Sequence, residues 1–97
     1  MKNSGKGKYE VFYHKLVERN ISKIDQNMLK KIYNTITNKL VLAPNIYGVP
    51  LHGVLKKYWK FKVSDYRIIY LIENKKILIK IIGHRKDVYS VISRRIT

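Results

Sequence analysis

The sequence contains no cysteine, so it has neither a disulfide framework nor a thiolate metal site, and its stability must come from packing. It has few acids: six Asp plus Glu stand against 21 Lys plus Arg, a formal charge of +15. A field of that size attracts nucleic acid, an acidic membrane or an acidic protein. Proline occurs only at Pro44 and Pro50, so neither flanking region carries a proline break. Apolar runs are short and interrupted by Glu73 or Lys80, well below the 18 or so residues of a membrane span. The histidines at 14, 52 and 84 lack compact ligand spacing, and no glycine-rich phosphate loop or nucleophilic Ser motif is present. No metal and no cofactor are expected.

What is present is a basic chain of 97 residues, the size of one domain. From Val54 onward, 12 Lys/Arg and 3 Asp/Glu are interleaved with Ile, Val, Leu and Tyr, so folded elements carry the charge. Residues 1–8 lack apolar anchors and read as a mobile basic arm. With no apolar stretch there, a secretory signal is excluded and a soluble cytoplasmic protein is expected.

Periodicity predicts one domain over 9–97. Tyr9 to Tyr13 alternates as a first strand. His14 to Ile24 is spaced as a helix. Asp25 then caps a longer helix, through about Leu42, whose apolar stripe is Met28, Leu29, Ile32, Tyr33, Ile36 and Leu40. These two helices should form a hairpin. Ala43-Pro44 ends the second, and Pro44 to Gly53 reads as a loop. Three strands follow, at 57–63, 66–73 and 77–83, joined by the short polar separators Ser64-Asp65 and Asn74-Lys75-Lys76. A helix over 87–96, capped by Asp87, closes the chain. The expected class is α+β: a small, twisted, mainly antiparallel sheet of about four strands, a helical hairpin and a short C-terminal helix.

On the strand at 57–63, alternation sends Trp59, Phe61 and Val63 into the core while Tyr58, Lys60 and Lys62 face outward together. A rigid cationic and aromatic surface suits single-stranded nucleic acid, whose phosphates seek Lys and Arg and whose bases seek aromatic faces.

Four segments carry a family resemblance. Pro50-Leu51-His52-Gly53, Tyr58 to Val63, Asp65-Tyr66-Arg67-Ile68-Ile69-Tyr70 and Gly83-His84-Arg85-Lys86-Asp87-Val88-Tyr89 stand in the order found in the RelE/ParE superfamily of bacterial and archaeal toxins. The likeness covers about residues 9–96 and resembles the RelE-like branch. It implies a toxin of a type II toxin–antitoxin system, a metal-independent endoribonuclease that cleaves mRNA in the ribosomal decoding site and so inhibits translation. In that chemistry the substrate 2′-hydroxyl attacks the adjacent phosphate, which requires a base, cations for the crowded phosphate and an acid for the leaving oxygen.

The resemblance implies a role for each candidate. Arg67 matches the arginine of the family's Tyr-Arg pair and would hold the phosphate bidentately. Arg85 resembles the second catalytic arginine, although it stands nearer to Tyr89 than in the best-studied RelE pattern. Tyr89 corresponds to the C-terminal tyrosine suspected as general base. An ordinary tyrosine, with a pKa of about 10, needs neighbouring cations for that work. His84 is the rival base, since imidazole titrates near neutrality. Lys60 and Lys62 resemble the paired active-site lysines. His52, Lys56, Lys57 and Lys86 would steer RNA or the ribosome, and His14 reads as a capping or surface residue. The expected partners are an acidic antitoxin in a hetero-oligomer, mRNA and the ribosome, with no membrane. The alternatives are a ParE-like poison of DNA gyrase and a non-catalytic basic RNA-binding module.

Overall fold

The computed structural model describes residues 2–3 and 9–96. Its strands are β1 (Lys2–Asn3), β2 (Glu10–Tyr13), β3 (Val49–Pro50), β4 (Trp59–Val63), β5 (Tyr66–Glu73) and β6 (Lys76–His84). Its α-helices are α1 (Val17–Ile21), α2 (Gln26–Thr35), α3 (Pro44–Tyr47) and α4 (Val88–Ile96). One sheet has the order β1-β2-β6-β5-β4-β3. β2 runs parallel to β6 and every other pairing is antiparallel. The four longer strands match the expected sheet, and the two-residue strands β1 and β3 extend it at either edge. Lys2 and Asn3, within the expected N-terminal arm, pair with Phe12 and Val11. The rest of that arm lies outside the described residues.

Two cores lie on opposite faces of the sheet. The larger is roofed by α1, α2 and the turn that continues α2, and it buries Val11, Ile32, Ile36, Leu40, Ile68, Tyr70, Ile77, Ile79 and Ile82. The smaller is roofed by α4, whose Val88 and Ile92 bury Ile69 and Ile81. A register shift between Ile69 and Tyr70 makes this division possible: Ile69 faces Ile81 while Tyr70 faces Ile79, so Lys80 is the extra residue of a bulge. Strict alternation would send Ile77, Ile79 and Ile81 to one side; the bulge lets the last of them serve α4.

The hairpin helices are shorter than their apolar spacing predicts. The α1 helix covers only Val17–Ile21, because His14 still belongs to the sheet edge, donating its N–H to Ile79 O (2.8 Å), and its Nδ1 accepts from Leu16 N–H (3.1 Å). Asp25 caps α2 as expected, its Oδ2 accepting from the N–H groups of Asn27 (3.0 Å) and Met28 (3.3 Å). Beyond Thr35 the helix widens into a π turn over Ile36–Leu40, closed by Val41 N–H to Ile36 O (3.0 Å), and both Leu40 and Val41 are buried.

The expected 44–53 loop is more structured than proline and glycine content suggests. Pro44 ends one helix and begins another, occupying the first turn of α3, where a missing N–H costs nothing. Its carbonyl accepts the Tyr70 hydroxyl (2.7 Å) in the core, and burial raises the pKa of that hydroxyl above the ordinary tyrosine value. Gly48 lies against the same hydroxyl: a Cβ there would overlap it.

Candidate functional site

The face roofed by α4 carries the cations. Lys60 and Lys62 point to it from β4, as their alternation with buried Val63 and core-packed Trp59 and Phe61 requires. Register fixes their neighbours. Lys62 stands opposite Arg67, which stands opposite Gly83, while Lys60 stands opposite Ile69 and then Ile81. Two cations directly across a strand pair repel, so the fold accepts a local penalty that a bound anion would remove. Gly83 contributes no side chain, and beside Arg67 the row ends in a shallow floor under Val88.

Arg67 is partly held in place. Its Nη1 donates to the carbonyls of Ser64 (3.1 Å) and Tyr66 (3.0 Å) in the β4–β5 turn, leaving the other guanidinium N–H groups for a ligand. Tyr89, in the first turn of α4, packs on the Ile69–Ile81 cluster, and Lys60 Nζ lies 5.7 Å from the centre of its ring. Tyr58 faces the same side but packs against the α4 cluster.

Arg85 lies one residue past β6, beside the same turn. Its N–H donates to Asp65 O (2.8 Å), and its Nε is 3.9 Å from Asp65 Oδ1, the two side chains being 56% and 63% exposed. An open pair of this kind is worth little, so its guanidinium is readily given to a stronger anion. Asp65 escaped notice in the sequence as a partner because only its turn character is visible there. Behind Arg85, α4 starts where Asp87 O accepts from Val91 N–H (3.2 Å) and the Ser90 hydroxyl (3.0 Å).

His84 is not brought into this cluster. It stands opposite Tyr66, one residue out of phase with Arg67 and Gly83, and therefore on the other face of the sheet. The two rings meet edge to face at 5.6 Å, and His84 Nδ1 accepts from Lys86 N–H (3.1 Å), which ties the imidazole to the turn. Its sequence proximity to Arg85 and Tyr89 concealed that phase. His52, Lys56 and Lys57 are exposed on the segment whose Leu51 and Leu55 pack against the α4 cluster, and Lys86 is exposed in the turn before α4. Among the described residues, no three His, Asp or Glu side chains gather as metal ligands, and no helix is long and apolar enough to cross a membrane.

Residues 11–89 match the family model described as ParE toxin of type II toxin-antitoxin system, parDE. The fold is similar to that of a solved RelBE2 toxin–antitoxin complex from Mycobacterium tuberculosis, with 22% identity, 88% of this chain and 100% of that chain covered, and a TM-score of 0.76. YafQ from Escherichia coli is 19% identical over 84% of this chain and 98% of its own, with a TM-score of 0.61. The RelB–RelE antitoxin–toxin complex of Methanococcus jannaschii contains a chain 17% identical, covering 82% and 96%, with a TM-score of 0.62. No curated protein matches the sequence closely. With four-fifths of its length matched by that model and an α+β sheet of the RelE kind, the chain belongs to the ParE toxin family of the RelE/ParE superfamily, the toxins of type II toxin–antitoxin systems.

Proposed function

We propose that the α4 face is the active site of a metal-independent endoribonuclease that cuts mRNA on the ribosome. One observation carries this reading: Lys60, Lys62 and Arg67 form an adjoining row of cations on one rigid sheet face, with the Tyr89 hydroxyl group's ring stacked beside Lys60 and no carboxylate in the row. Tyr89 acts as its phenolate, takes the proton of the 2′-hydroxyl and becomes the phenol; the O2′–P bond forms and the P–O5′ bond breaks, leaving a 2′,3′-cyclic phosphate and a 5′-oxygen to be protonated. Arg67 and Lys60 carry the negative charge that builds on the non-bridging oxygens, and Lys62, the exposed ammonium, supplies the proton for the 5′-oxygen. Arg85 holds the neighbouring phosphate after leaving Asp65. A protein of charge +15 with such a cleft calls for an acidic antitoxin as its silencing partner.

The matched family model favours a second reading, a poison of DNA gyrase. Pulse labelling after induction without antitoxin separates the two. The nuclease stops protein synthesis first, and Arg67→Ala and Arg85→Ala each abolish mRNA cleavage by primer extension while circular dichroism stays unchanged. Early arrest of replication with intact mRNA would transfer the case to gyrase.

A further inference from the structure

A groove of about 470 Å³ lies at the end of the sheet, within the size range of small-ligand sites. It exists because the strands are of unequal length. β2 ends at Tyr13, opposite Ile79, whereas β6 runs on to His84 with β5 beside it, so the last residues of β6 have no strand on the β2 side. The end of α1 forms one wall there, with Arg19, Asn20 and Lys23, and the start of α4 forms the other, with Asp87; Tyr66 borders the groove from β5.

The walls carry the chemistry of a nucleotide site. Arg19 and Lys23 are exposed, stand four residues apart, and have no ion-pair partner among the described residues. Like charges at that spacing repel, and an anion bridging them removes the repulsion. Against these two cations the groove sets one acid, Asp87, so its net charge stays positive. Asn20 Oδ1 is buried without a hydrogen-bond partner, an unusual state for a buried acceptor. A turn of its carboxamide brings either the oxygen or the NH₂ group to the edge of a base. Tyr66, half-buried and braced edge to face by His84, supplies an aromatic ring. Cations for a phosphate, an amide for a base edge and a ring for stacking are together what single-stranded RNA requires.

Gly83 joins this groove to the cationic row. It lines the groove, it stands opposite Arg67, and having no side chain it leaves a passage over the end of β6. We infer that the groove between α1 and α4 holds the next nucleotide of a single-stranded RNA whose preceding phosphates lie on the row, with Arg19 and Lys23 on its phosphate and Asn20 and Tyr66 at its base. This deepens the nuclease reading and rests on it. The RNA crosses the sheet end at Gly83 and is gripped on both sides of the sheet.

The test uses the full chain and oligouridines with 2′-O-methyl groups, which lack the attacking hydroxyl and stay intact. Lys60 and Lys62 lie about 7 Å apart along β4, so a trinucleotide fills the row and a hexanucleotide extends into the groove. By fluorescence anisotropy the hexamer is expected to bind at least about tenfold more tightly than the trimer. The Arg19→Gln, Lys23→Gln double variant should lose most of that gain, bind the trimer as wild type does, and show a salt slope for the hexamer lower by about 1.4, the worth of two phosphate contacts on a single strand. Its circular dichroism should be unchanged. In ¹⁵N spectra the hexamer, and not the trimer, should shift the amides of residues 19–24 and 87–91. The Lys30→Gln, Lys31→Gln variant removes the same charge from the outer side of α2 and should keep the hexamer's advantage.

An equal loss in both double variants would reduce the effect to the overall field and overturn the inference, as would hexamer shifts that spare residues 19–24. Uridine 5′-monophosphate binding the groove as tightly as the hexamer would also overturn it, giving the site to a free nucleotide. The nuclease reading fails on a different result: a Lys60→Gln, Lys62→Gln variant that binds the trimer as wild type does.

Discussion

Lys62→Gln should make the free protein more stable and a poorer nuclease. Lys62 and Arg67 are directly paired across β4 and β5, and Lys60 lies two residues away on the same face, so the substitution relieves two like-charge contacts. A cross-strand pair of this kind is worth about 0.2–1 kcal/mol. For a domain of this size 1 kcal/mol moves Tm by about 4–8 °C, so the expected gain is about 1–8 °C at low ionic strength. In 1 M salt, where the Debye length falls to about 3 Å, the gain should vanish. Lys31→Gln is the control. It removes the same charge from the exposed side of α2, where no cation stands directly opposite, and it should shift Tm by less. Thermal unfolding followed by circular dichroism at 50 mM and 1 M NaCl measures both. On the functional side, losing one phosphate contact should lower the salt slope for single-stranded RNA by about 0.7 and weaken binding. A Lys62→Gln gain no larger than that of Lys31→Gln, or one indifferent to salt, would show that the row is not under electrostatic strain and would remove the argument that it awaits an anion.

Tyr89→Phe, which keeps the ring packing and removes the hydroxyl, should reduce single-turnover cleavage on programmed ribosomes about 10²–10⁴-fold, whereas His84→Ala, on the opposite face, should stay within a few fold of wild type; the reverse result would move the base to His84. Gly48→Ala should force Tyr70 away from Pro44 and cost about 1–3 kcal/mol in urea unfolding, and adding Tyr70→Phe should cost less than the sum of the two single changes, since both act on one hydrogen bond. Additive losses would refute that coupling. Burial raises the pKa of Tyr13, Tyr33 and Tyr70, so the folded state holds protons that the unfolded state releases near pH 10. Their contribution is fully present below about pH 10 and is lost as pH rises beyond it. Titration at 295 nm should therefore show the part of the absorbance change that belongs to these three tyrosines appearing late, together with unfolding.

Several elements were legible in the sequence because the physics behind them is local. Period-two alternation placed Trp59, Phe61 and Val63 on one face and Lys60 and Lys62 on the other, and the β5 span was read to the residue. The Asp25 cap needed only a side-chain oxygen beside two free N–H groups. The residues of the RelE/ParE pattern lay in order along the chain, and the family followed from them.

Other features depend on partners distant in sequence, and tertiary structure alone decided them. Nothing near Lys80 announces a bulge; it exists because Ile81 is needed under α4 while Ile79 is needed under the helical hairpin. That one extra residue also sets the phase of Gly83 and His84, placing the first beside Arg67 and the second beside Tyr66. The shortness of α1 reflects the capture of His14 by β6, and the ordering of residues 44–50 reflects Tyr70 reaching Pro44 from the far side of the core. Which residue types can serve a site is a property of composition and local alternation. Which of them meet is a property of cross-strand register, and register is settled by packing between segments that the linear sequence keeps apart.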